Sequence, residues 1–96
     1  MMVLITYDVE TLTKSGQKRL RKVAKACQNY GQRVQNSVFE CILTEAQLVV
    51  LKNLIEEIID KDTDSIRFYY MGERWEKHVE SIGKITSFDY TKELIL

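Results

Sequence analysis

Asp8 closes the run Met2-Val-Leu-Ile-Thr-Tyr-Asp8, whose only other polar side chains are Thr6 and the Tyr7 hydroxyl. A carboxylate where a strand gives way to a loop stands at a sheet edge, the kind of place ligands occupy. Magnesium needs only one or two protein carboxylates, because waters and phosphate oxygens complete its octahedron. The plainer reading is a loop aspartate bonded to nearby amides. One carboxylate per chain is thin for a metal, unless a second chain brings another copy. Glu10 is a neighbouring second candidate whose ordinary use is a solvated loop residue.

The next feature is a cation cluster. From Thr11 to Phe39 the chain carries Lys14, Lys18, Arg19, Arg21, Lys22, Lys25 and Arg33 and no acid, while all 14 carboxylates lie elsewhere. The formal net charge of zero therefore conceals a positive part beside a negative one. Such a surface suits a polyanion, and each phosphate it neutralises steepens the salt dependence of binding by about one unit. A face charged only for solubility is the alternative. That face would gain from interspersed acids making i, i+4 pairs, and it has none. Arg19 and Arg33 matter more if they point towards Asp8, where a guanidinium could stabilise a phosphorane-like transition state.

Other reactive residues offer less. Tyr7 alternates with Asp8 and faces the opposite side of the strand, as a core residue. Phe39 and Tyr69 could stack bases on an open sheet, as RNA-recognition domains do, but core or dimer packing is their expected use. Ser37 has no histidine near it in sequence, and the lone His78 gives a Ser–His nucleophile system little support. There is no glycine-rich phosphate loop. Cys27 and Cys41 sit in segments read as buried, as core thiols suited to a reducing cytoplasm. With one histidine they cannot complete a four-ligand zinc site without recruiting carboxylates or a second chain.

The elements that position these residues fit one domain over residues 1–96, with room for a single core. No 18-residue apolar run exists, so neither a membrane span nor a signal peptide is expected. Met2–Asp8 alternates too little and reads as a central strand buried on both faces. From about Ser15 to Asn29, Leu20, Val23, Ala24 and Cys27 form one helical stripe. Lys14, Lys18, Arg21, Lys22 and Lys25 project opposite, with Arg19 on the flank. Gly31 fits a left-handed residue that stops this helix. Arg33–Leu43 reads as two short strands or one bent hairpin. Thr44-Glu-Ala-Gln47 matches a capping box. It opens a second helix with the stripe Leu48, Leu51, Leu54, Ile55, Ile58 and Ile59. Asp62–Ser65 is a turn, and Ile66–Met71 a strand.

The order β-α-β-β-α-β is the split βαβ of an α+β, ferredoxin-like fold. Two amphipathic helices cover only one face of such a sheet. The other must be solvated, covered by the tail or buried against a partner. In the tail, Trp75, Val79 and Ile82 fit a helix or an eight-residue strand equally well. The chain closes on Glu93-Leu-Ile-Leu96, and an apolar terminus that docks somewhere makes a homodimer the natural expectation.

Three blocks carry a family resemblance. Val3-Leu-Ile-Thr-Tyr-Asp-Val9, Lys18-Arg-Leu-Arg-Lys-Val-Ala-Lys25 and above all Tyr30-Gly-Gln-Arg-Val-Gln-Asn-Ser-Val-Phe-Glu-Cys41 resemble the small CRISPR-associated nuclease family that partners the spacer integrase, the Cas-two family. Asp64-Ser-Ile-Arg-Phe-Tyr-Tyr70 is similar to that family's fourth strand, and the wording looks most like the subtype I-C branch. The resemblance covers residues 2 to about 72 strongly and the tail loosely. It implies a homodimeric βαββαβ sandwich with a core of about 1–72 and an extension, 73–96, that adds a strand to the partner's sheet. It favours the strand reading of Trp75–Ile82.

The resemblance also implies a cytoplasmic, metal-dependent endonuclease acting on single-stranded RNA or double-stranded DNA. Asp8 would be the catalytic and Mg2+-binding residue, its dimer mate lying across the twofold axis. Lys14, Lys18, Arg19, Arg21, Lys22, Lys25 and Arg33 would then hold nucleic acid. The rival is a non-catalytic dimer that bridges the CRISPR spacer integrase and binds duplex DNA. A weaker rival is a ligand-binding regulatory domain of the same fold. The loop Thr11–Gly16 lacks the acidic, proline-containing character of many members, which leaves substrate choice open.

Overall fold

A computed structural model describes residues 1–71 and 79–83. The elements run β1 (Met2–Asp8), α1 (Lys14–Gln28), β2 (Gly31–Gln35), β3 (Val38–Ile42), α2 (Glu45–Ile58), β4 (Ser65–Tyr70) and β5 (Val79–Gly83). All strand pairings are antiparallel, in the order β2-β3-β1-β4-β5. The first six elements are the expected βαββαβ, and the fold is α+β and ferredoxin-like. No helix among the described residues is long and apolar enough to cross a membrane.

β1 is central, as expected, but it is not buried on both faces. Val3, Ile5 and Tyr7 are buried, Leu4 and Thr6 half-buried, and Met2 and Asp8 exposed. The helices cover one face only, and on the other Leu4 and Thr6 are half-buried while the strand's two ends reach solvent. On the covered face Ile5, Phe39 and Phe68 pack with Val23 and Cys27 of α1 and Leu51 and Ile55 of α2. Cys27 and Cys41 are buried free thiols, as anticipated.

Both helices begin on side-chain caps. Thr13 caps α1, its Oγ1 accepting the Gly16 N–H at 3.0 Å. Gly16 is required by close approach, since a Cβ there would lie 1.4 Å from the Glu10 carbonyl oxygen. The loop after Asp8 is thereby folded onto the first turn of α1. For α2 the capping box forms in full, with Gln47 N–H donating to Thr44 Oγ1 at 3.2 Å and Thr44 N–H to Gln47 Oε1 at 2.9 Å. Leu54, expected in the buried stripe, is exposed.

Gly31 corrects another expectation. It starts β2, and among the described glycines only Gly83 has a positive φ. Its role is steric, because a Cβ at Gly31 would sit 1.8 Å from the Glu40 carbonyl oxygen of β3. Residues 31–42 resolve into the two-strand reading, β2 and β3, with a register shift between Arg33 and Gln35.

Val79–Gly83 form a strand, β5, paired with β4 of the same chain. Trp75, His78 and residues 84–96 lie outside the described residues. From α2, Lys52 Nζ reaches Glu80 Oε2 at 2.7 Å, and the Tyr70 hydroxyl donates to the same oxygen at 2.9 Å.

Candidate functional site

Asp8 ends β1 directly opposite Ser65, the first residue of β4. On the other side of β1, the Tyr7 N–H donates to the Ser37 carbonyl at 2.8 Å, which brings in the β2–β3 turn. These segments surround a cleft of about 240 Å3 lined by Thr6, Tyr7, Asp8, Ser37, Ser65 and Arg67. Asp8 is exposed, and its carboxylate has no side-chain or backbone partner among the described residues. Alternation puts it on the open face with Met2, Leu4 and Thr6. The following loop is braced, with Leu12 N–H donating to Glu10 Oε1 at 2.7 Å and Gln17 Nε2 to the Thr11 carbonyl at 2.9 Å. Glu10 is therefore a loop-bracing residue.

Around Asp8 the cleft offers hard oxygen donors, one carboxylate and the hydroxyls of Thr6, Ser37 and Ser65. No group of three or more His, Cys, Asp or Glu side chains gathers among the described residues. Such a donor set fits a hard divalent ion that keeps most of its waters and takes oxygens from a phosphate. It does not fit zinc.

Six of the seven expected cations reach solvent. Lys14, Lys18, Arg21, Lys22 and Lys25 are exposed on α1, and none of them has an ion pair among the described residues. Arg33 is exposed on β2; its Nε donates to the Asn36 carbonyl at 2.7 Å, and its guanidinium lies 5.9 Å from the Phe39 ring centre. Arg19 is the exception. Its Nε meets Asp64 Oδ2 at 2.7 Å, its Nη2 donates to Asp64 Oδ1 at 3.2 Å, and its Nη1 donates to Ser15 Oγ at 2.7 Å. The fork is used within the protein and does not reach towards Asp8.

Asp64 is the residue that sequence reasoning missed. It is 0% exposed, and besides Arg19 it accepts from the Tyr7 hydroxyl at 2.5 Å, the Asp60 N–H at 3.1 Å and the Thr63 hydroxyl at 3.1 Å. Burial alone would raise its pKa, but the bonds from Arg19, then Tyr7, Asp60 and Thr63, outweigh it and hold the carboxyl below the ordinary range. The same contact acts on its neighbours. Burial, then the bond to Asp64, pushes the Tyr7 hydroxyl well up, and Asp64 raises the Arg19 pKa.

Tyr7 faces the core, as expected. Phe39 and Tyr69 are buried at 0% and 5%, so neither offers a base-stacking surface. Ser37, Ser65 and Arg67 line the cleft without having been singled out for it, and only the strand register brings them to Asp8.

Comparison with known proteins gives consistent matches. The family described as CRISPR associated protein Cas2 matches residues 1–79. A protein of Halalkalibacterium halodurans named CRISPR-associated endonuclease Cas2 is 57% identical over 95 residues, covering 99% of both chains. One from Nitratidesulfovibrio vulgaris, named CRISPR-associated endoribonuclease Cas2, is 50% identical over 96 residues, covering 100% of this chain and 94% of its own. The crystal structure of Streptococcus pyogenes Cas2 at pH 6.5 superposes with a TM-score of 0.74 at 60% identity, covering 86% of this chain and 100% of that one.

Proposed function

The chain belongs to the CRISPR-associated Cas2 family, and from that premise we propose that it is a Mg2+-dependent endonuclease acting in the spacer-acquisition stage of prokaryotic antiviral defence. The names of its relatives support phosphodiester hydrolysis, as endonuclease in one and endoribonuclease in another. The observation that carries the reading is Asp8 itself, an exposed carboxylate without a partner among the described residues, in a polar cleft on the sheet face away from the helices. That face also exposes Met2 and Ile42, the latter at 68%. Covering it with a second copy would remove apolar surface from water and bring two Asp8 side chains into one interface.

The two Asp8 carboxylates would hold Mg2+, which supplies Lewis acidity by lowering the pKa of a water and neutralising charge on the scissile phosphate. Lys14, Lys18, Arg21, Lys22, Lys25 and Arg33 hold the sugar-phosphate backbone, a mode with little sequence preference that suits duplex DNA and single-stranded RNA alike. The hydroxyls of Ser37 and Ser65 orient phosphate oxygens in the cleft. In the dimer, the extension 73–96 of a partner would take the place beside β4 that β5 of the same chain holds here. The block Tyr30–Cys41 supports placement in the subtype I-C branch, and two free buried thiols suit the cytoplasm.

Asp8→Asn is expected to abolish Mg2+-dependent cleavage of matched RNA and DNA substrates while leaving the dimer intact by light scattering. Unchanged cleavage would place the chemistry elsewhere. A second reading rests on the single carboxylate per chain: a dimeric scaffold that bridges the spacer integrase and binds duplex DNA without cutting. Spacer acquisition that survives Asp8→Asn in cells selects this second reading.

A further inference from the structure

Asp64 stands where three segments meet. Through Tyr7 it touches the end of β1, through Arg19 the middle of α1, and through Asp60 and Thr63 the loop that leads into β4. Its chain neighbour Ser65 pairs with Asp8, the chain neighbour of Tyr7, and both line the cleft. Arg19 lies one residue from Lys18 and three from Lys22, so whatever fixes Arg19 also fixes the height and rotation of the cation-bearing helix.

We infer that Asp64 is a positioning residue for the Asp8 site, and that Arg19 serves Asp64 rather than nucleic acid. The guanidinium is two-pronged on the carboxylate and gives a third hydrogen bond to Ser15, and its side chain is only 16% exposed. A fork in that geometry aligns as well as neutralises, and a lysine cannot replace it. Among the described residues the exposed lysines around it have no such partner. The helix therefore carries two kinds of cation, one kind facing a polyanion and a single arginine that ties the helix to the strand end bearing Asp8. The catalytic part of this inference rests on the nuclease reading; the binding part does not.

The test uses the full-length chain and the salt dependence of its binding to a labelled DNA duplex. Lys22→Gln flattens the log–log slope by about one unit, as the loss of one phosphate contact should. Arg19→Gln and Asp64→Asn leave the slope at the wild-type value. In cleavage assays, both lower kcat by at least about tenfold with KM within about twofold, and the double variant is no worse than the poorer single one. Arg19→Lys separates the roles if Arg19→Gln does not fold. It keeps the wild-type rate if Arg19 only contacts phosphate, and loses rate if the fork positions the helix. A slope loss of about one unit in Arg19→Gln, or full activity in Arg19→Lys, overturns the assignment. Absence of Mg2+-dependent cleavage by the wild type defeats the nuclease reading instead, and the slope comparison still decides how Arg19 is used.

Discussion

Two carboxylates stand at one end of the sheet, Asp8 at the end of β1 and Asp64 just before the neighbouring β4, and they could hardly be treated more differently. Asp64 accepts five hydrogen bonds, two of them from one guanidinium, and is closed off from solvent. Asp8 is exposed, and among the described residues nothing bonds its oxygens. A buried charge is tolerated only when fully partnered. An exposed one keeps its lone pairs available to a ligand at no such cost. The difference teaches that one buried, saturated acid can hold a frame while another at its margin stays open for chemistry. Each acid is poor at the other's task.

The comparison can be pressed hardest through stability. Asp64→Ala removes the carboxylate paired with a largely buried guanidinium and should lower unfolding free energy by about 3–5 kcal/mol in a denaturant titration. A loss below about 1 kcal/mol would mean that solvent already screens the pair. Acid offers a milder probe. The carboxyl of Asp64 titrates lower in the folded chain than its ordinary value of 3.8, so the unfolded chain takes up the proton first as pH falls. Its stabilising contribution is whole above about pH 4 and drains away as pH drops through the folded value. The gap in melting temperature between wild type and Asp64→Asn should therefore narrow below pH 3.8. Tyr7→Phe deletes one donor of the five and should cost about 1 kcal/mol. Asp8→Asn, at the exposed end of the contrast, should change stability by less than about 0.5 kcal/mol. A larger change there would show that Asp8 belongs to the frame.

Much of this was legible from residue pattern. The Thr44–Gln47 cap and the α1 stripe of Val23, Ala24 and Cys27 appear as read, because both depend on neighbours within a few residues. Asp8 was legible for the same reason, as the end of an apolar run. Asp64 was not. In Asp60-Lys-Asp-Thr-Asp-Ser65 it is one of three aspartates in a polar turn, and only contacts 45 and 57 residues away, to Arg19 and Tyr7, set it apart. The one local hint was Arg19 on the flank of the stripe, placed where a guanidinium can reach inward. Gly31 was misread because a helix stop and a close strand approach both call for a missing Cβ, and sequence cannot tell which. β1 reads as double-buried because hydrophobicity records what a face can tolerate, whereas the helices lie on one face only.

β5 sits at the rim of the sheet, joined to β4 by backbone pairing from Ser65↔Gly83 to Tyr69↔Val79 and braced by one partly solvated ion pair, Lys52–Glu80. Amide-to-carbonyl rungs read no sequence, and a single ion pair of that sort adds little preference. The place beside β4, held here by β5 of the same chain, is therefore one that another copy of the same ribbon would fit equally well. If two copies do exchange ribbons, protein concentration, through mass action, would set the balance between the closed and the exchanged form.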